Sequence, residues 1–336
     1  MRPLSAFLKF SFANAIVLFA TLVSIAAPFD VEITAKPITN FLPGSEQKIF
    51  GKLEFIGGLE FTSGNEHVGA LSGLALVENR SRIVAVTDTG FWFTAKVKRG
   101  PNGKPLALEN TKMAPLLDKS GKPYKHKWNA DAESIIIDGD YALISFERDN
   151  RVSKYKLDLE NFSSTPENVK LNLDVSLLRP NKGLETVLKS PLSSRQQGAI
   201  IIISERSFAA KNRIKAAILS GPDKGQFTVK REGKFDITDG DFLPNGDLVL
   251  LERRFNLADG LGIRLRRIKA GKIKPGATLK GKSLLKVDVS HQVDNMEGLS
   301  ITTNEKGEIF FSLISDDNHS LLQRNLYLEF RLIEEK

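Results

Sequence analysis

Four carboxylates, Glu133, Glu185, Asp241 and Glu297, recur along the chain at intervals of about 50 to 60 residues. Each opens a strand-like run and has an acidic or amide neighbour, Asp131, Asn181, Asp239 or Asp294-Asn295. A second acid closes the next apolar run of each unit, at Asp88, Glu147, Glu205, Glu252 and Asp316. Carboxylates gathered at one point repel each other and hold their protons unless a cation is present. A ring of hard oxygen ligands is what calcium or magnesium takes, and such an ion supports hydrolysis by polarising a bound oxygen. On this pattern the expected acid–base residues are Glu133, Glu185, Glu297 and His319. The expected cation ligands are Asp241, Glu297, Asp316 and Asp317, and the cofactor is calcium or another divalent cation.

Other residues stand beside this set. Asp316-Asp317-Asn318-His319 replaces the Glu-Arg text of the other units with an oxygen-rich loop. His67 and His126 precede the first two units, and Phe91-Trp92-Phe93 follows Asp88 as either a pocket wall or packing between units. A structural reading competes with the chemical one. Arg148, Arg206 and Arg253 each follow a strand-end acid, and arginines so repeated can tie neighbouring units together through their carboxylates.

Bringing these acids to one axis requires a particular scaffold. From about residue 50 onward, short apolar runs alternate with turn text such as Asp138-Gly139-Asp140 and Pro244-Asn245-Gly246-Asp247, with no sustained helical period. Continuous runs such as 199–203 suit strands covered on both faces. An all-β chain repeating every 50 to 60 residues or so reads as a β-propeller with about four strands per blade. Five blades account for the repeats; six would require 90–129 to hold another. The last unit has only three strands of its own, so the N-terminal segment 52–61 is expected to supply its outer strand and close the ring.

The composition is that of a globular protein, with 41% hydrophobic and 26% charged residues and a net charge of +8. No dense Lys/Arg run suggests nucleic-acid binding, so the expected partner is a small anionic or ester substrate. Residues 1–27 read as a signal peptide: Arg2 and Lys9 precede an apolar run, and Ser24-Ile25-Ala26 suits cleavage after Ala26 or Ala27. An uncleaved anchor is the alternative, and the only expected route to a membrane. Residues 28–50 read as an N-terminal extension and 51–334 as one propeller domain. With no cysteine, disulfides, thiol catalysis and a lipidated N-terminal cysteine are excluded, which points to a periplasmic or secreted protein. There is no Gly-x-Ser-x-Gly elbow, Walker loop, dinucleotide fingerprint or His-Glu-x-x-His.

The motifs together resemble the phytase-like family, whose members carry the label "esterase-like activity of phytase". The resemblance rests on Asp131-Ala132-Glu133, on 181–185, on 239–248 with 251–255, on 294–299, and on Ser315-Asp316-Asp317-Asn318 with 322–326. It implies an exported bacterial β-propeller that hydrolyses esters or phosphoesters. No catalytic residue set is carried over with it. A non-catalytic binding or scaffold propeller of the cell envelope, or a lactonase-type calcium propeller, is the alternative.

Overall fold

A computed structural model describes residues 27–333, so the leader read over residues 1–27 lies outside the described residues except for its last position. Five antiparallel sheets stand around one axis. From the axis outward, blade 1 comprises Leu71–Val77, Arg82–Thr87, Phe91–Arg99 and Pro105–Pro115. Blade 2 comprises Ala132–Asp138, Tyr141–Phe146, Arg151–Lys156 and Glu167–Asn168. Blade 3 comprises Leu184–Lys189, Ile200–Ala210, Arg213–Ile218 and Gly225–Lys230, with Thr278–Leu279 added in parallel at its edge. Blade 4 comprises Asp236–Phe242, Leu248–Asn256, Gly260–Ile268 and Lys282–Asp288.

Blade 5 is built from both ends of the chain. Met296–Thr303, Ile309–Ser315 and Asn325–Leu332 are followed outward by Leu53–Thr62, as the three-strand C-terminal unit requires. Thr34–Ile38 then pairs with Leu53–Thr62, while Phe29–Asp30 joins the edge of blade 1. The segment read as an extension therefore contributes strands to two blades. Residues 90–129 hold the two outer strands of blade 1 and a loop, so the blades number five.

The isoleucine run of blade 3 shows why the apolar text is continuous. Ile201 and Ile203 pack with Ile237 and Leu250 of blade 4, whereas Ile202 faces Leu143 and Val152 of blade 2. Both faces of the strand are covered, so alternation disappears. The aromatic run after Asp88 packs between blades. Trp92 lies against Tyr155 and Phe162 of blade 2, and Phe93 stacks on Phe61 of blade 5. The inner strands approach closely enough to demand glycine: a Cβ on Gly73 would come within 2.8 Å of the Ile135 nitrogen.

Candidate functional site

The innermost strands share one irregularity. Each carries a β-bulge near its first residue, where the pairing with the second strand skips a position. The skipped residues are Ser72, Glu133, Glu185, Thr238 and Glu297. A bulge leaves its extra residue free of the ladder and re-aims its side chain. Glu133, Glu185 and Glu297 line a cavity of about 240 Å³ at this end of the channel. The two hydroxyl residues form staples between neighbouring inner strands instead. Ser72 Oγ donates to the Ala132 carbonyl at 2.5 Å and Thr238 Oγ1 to the Met296 carbonyl at 3.1 Å.

The second strands end at the same mouth. Directly after the residue paired beside each bulge come Asp88, Glu147, Glu205, Arg253 and Asp316, and all five line the cavity. Blade 4 thus departs from the sequence reading at both tiers. Thr238 occupies the inner place assigned to Asp241, and Arg253 the outer place assigned to Glu252. Asp241 is spent on backbone, accepting from the Ile301 N–H at 2.6 Å and the Phe242 N–H at 2.7 Å. Glu252 is turned away from the axis and pairs with Arg264 at 2.6 Å and Arg266 at 2.5 Å.

The remaining expected residues divide likewise. Asp316 lines the cavity, but Asp317 and His319 do not. Asp317 accepts from the Ala70 and His319 backbone N–H groups and from Asn325 Nδ2, which fixes the loop as a turn. The His319 side chain is exposed. His67 stacks on Phe91 with ring centroids 4.5 Å apart, and His126 is exposed before the short helix Lys127–Ala130.

The mouth sets eight carboxylates against four cations. Asp88 and Asp131 are paired with Lys127, at 2.5 and 3.5 Å, and Arg148 reaches Asp131 of its own blade at 2.5 Å. Lys182 pairs with Glu205 at 2.6 Å, and Arg253 crosses to Glu297 of the next blade at 2.8 Å. Arg206 lies outside this group, 3.4 Å from Asp236. Lys127 and Lys182, which the sequence reading did not single out, are marked only by adjacency to the repeated acids.

Glu133, Glu147 and Glu185 have no ion-pair partner within 4 Å among the described residues; Glu147 accepts one bond, from the Gly183 N–H at 2.9 Å. Two sets of three carboxylates meet within 4.8 Å here, Asp131-Glu133-Glu147 and Glu147-Glu185-Glu205, sharing Glu147. Burial raises every acid of this group whose pKa moves, and neighbouring negative charge adds to it. Glu133 and Glu185 are pushed well above the usual carboxylate range, Glu147 and Glu297 to about 7, and Asp316 to about 8.

Below the mouth, Asp239 spans the channel. It accepts from Ser134 Oγ at 2.9 Å, beside Glu133, and from the Leu299 N–H at 2.8 Å, two residues after Glu297. One buried carboxylate thereby ties together strands that carry two of the mouth acids.

Residues 66–319 match the Phytase-like family, described as "Esterase-like activity of phytase". No curated protein matches the chain. Among solved structures it is similar to the PQQ-bound aldose sugar dehydrogenase of Streptomyces coelicolor, at 10% identity and a TM-score of 0.43, covering 89% of this chain and 98% of that one. It is also similar to the endo-arabinase of Bacteroides thetaiotaomicron, at 12% identity and a TM-score of 0.46, covering 80% and 94%.

Proposed function

The chain belongs to the phytase-like family, and from that premise we propose that the channel mouth is a hydrolytic centre for ester or phosphoester bonds, assisted by a divalent cation. The observation that supports it most is the pair of three-carboxylate sets sharing Glu147. The chemistry of the donors fits a hard cation: Glu133 and Glu185 lack ion-pair partners among the described residues, and Glu147 accepts only the Gly183 N–H. Glu133, Glu147 and Glu185 would hold the ion, with Asp131 and Glu205 beside them. When bound, it supplies Lewis-acid polarisation of the substrate oxygen and a lowered pKa for adjacent water.

The chain's own side chains do the rest. Lys127, Arg148 and Lys182 edge the mouth and can attract a substrate's anionic group. Asp316, lifted to about 8 by burial and by Glu297, keeps a proton at neutral pH and can donate it to a leaving oxygen. A cavity of about 240 Å³ admits a phosphate or a small ester group and leaves the bulk of a larger substrate outside.

The rival reading, a binding or scaffold propeller, is favoured by one observation: each of the four mouth cations is already paired with a carboxylate. Thermal unfolding with calcium and with EDTA, together with turnover of p-nitrophenyl phosphate and p-nitrophenyl acetate, separates the two. A calcium-dependent midpoint and turnover abolished by Glu147→Gln support the hydrolase. An unchanged midpoint with no turnover supports the scaffold. We also propose that the protein works outside the cytoplasm after loss of its leader. N-terminal sequencing of the chain from cell fractions should then begin at Ala27 or Pro28.

A further inference from the structure

The five-fold pattern of the mouth is broken at one blade. Asp88, Glu147, Glu205 and Asp316 occupy equivalent strand-end places, and blade 4 puts a guanidinium there. Arg253 reaches forward to Glu297 Oε1 at 2.8 Å, and Glu205, Glu185 and Asp316 also lie within its field. Its blade offers no inner acid either, since Thr238 is used as a staple. Positive charge is therefore fixed on the blade 4–blade 5 side. On the blade 2–blade 3 side Lys127 and Arg148 are spent on Asp131 and Lys182 on Glu205, which leaves Glu133, Glu147 and Glu185 without an ion pair among the described residues. The Glu185 side chain is more than nine-tenths buried, lines the cavity, and receives no hydrogen bond from any described residue.

We propose that Arg253 is a built-in cation that reserves the blade 4–blade 5 half of the mouth, so that the protein takes one divalent cation, in the blade 2–blade 3 half. This rests on the metal-assisted reading above and adds where the ion sits, how many bind and which residue sets that number. At close range a guanidinium repels a divalent ion and satisfies the carboxylate that would otherwise recruit it. Glu297, Asp316 and the Asn295 side-chain oxygen would form a second oxygen-rich site if Arg253 were removed.

The test is calcium binding by the mature chain, stripped with EDTA and then dialysed, followed by isothermal titration calorimetry. One ion per chain is expected in the wild type. Glu185→Gln should weaken binding about ten-fold or more, and Asp316→Asn should leave affinity within about two-fold, since only the first removes a ligand. Arg253→Met should raise the stoichiometry to two. The Glu185 and Asp316 comparison is made in chains that keep Arg253, so it stands if Arg253→Met fails to fold. No calcium binding by the wild type overturns the metal reading and this inference with it. One ion in the wild type, with Asp316→Asn as damaging as Glu185→Gln or with Arg253→Met still binding one, overturns the role of Arg253 alone. Two ions in the wild type do the same.

Discussion

In the absence of divalent cations the protein should lose stability as the pH rises from 5 to 8. The cause is the group of crowded acids at the mouth. A carboxyl whose pKa is raised on folding keeps its proton in the folded chain after the unfolded chain has released it. Its contribution is complete below the unfolded value and disappears as the pH passes the folded value. For Glu147, raised from 4.5 to about 7, the change amounts to about 3 kcal/mol at about 1.4 kcal/mol per pH unit. Glu297, Glu147 and Asp316 feel a shared negative field, and ionising one makes the next harder to ionise, so a single group's worth sets the scale. For a protein of this size that corresponds to a fall in midpoint of about 5 to 10 °C. Acids with lowered pKa, such as Asp118 and Asp247, titrate below the window and leave the slope untouched. The assay is circular dichroism melting in EDTA at constant ionic strength, at pH 5, 6, 7 and 8, for the wild type and for Glu147→Gln. The substitution should flatten the profile, and calcium at pH 8 should restore the wild-type midpoint. A wild-type midpoint that stays level or climbs between pH 5 and 8 in EDTA would refute the reasoning, because the acids would then be ionised at no cost.

Three further outcomes are expected. Glu329 is fully buried and accepts from Arg80 at 2.9 Å and Arg99 at 2.6 Å across the junction of blades 5 and 1, so Glu329→Ala should cost about 3 to 5 kcal/mol in urea unfolding by stranding the two arginines. Asp239→Ala should cost about 1 to 3 kcal/mol and lower calcium affinity, whereas Asp239→Asn, which can still accept from the Leu299 N–H, should retain most of both. Gly73→Ala forces a Cβ to within 2.9 Å of the Ser134 Cα, so it should lower the thermal midpoint and reduce soluble yield.

The ring, its closing strand and most of the mouth acids were legible in the sequence because strand pairing repeats the same text in every blade. Blade 4 was misread for a physical reason. In a strand, neighbouring residues face opposite sides, so an alignment shifted by one position exchanges an axial residue for an outward one. Glu252 was aligned with Glu147 and Glu205, but its hydrogen-bonded register matches the residue just before them. The sequence holds a clue to this. Thr87, Ser204 and Ser315 each separate the apolar run from its acid, and Glu252 fills that separating place, leaving Arg253 in line with the acids. Asp241 was misplaced because Asp239-Gly240-Asp241 offers two acids and nothing local marks the bulge at Thr238. The roles of Lys127 and Lys182 could not be read locally, since they depend on loops delivering side chains to a mouth that only the assembled ring creates.

Sewing one blade from both termini also sets a timetable for making the protein. Glu54 and Arg331, which pair across that seam, lie 277 positions apart. At bacterial or slower elongation speeds of about 5 to 20 residues per second, the early strand waits on the order of tens of seconds for its partner to be synthesised. Throughout that interval its unpaired edge is open to wrong partners, and a truncated product lacking the strand Asn325–Leu332 would leave it open permanently.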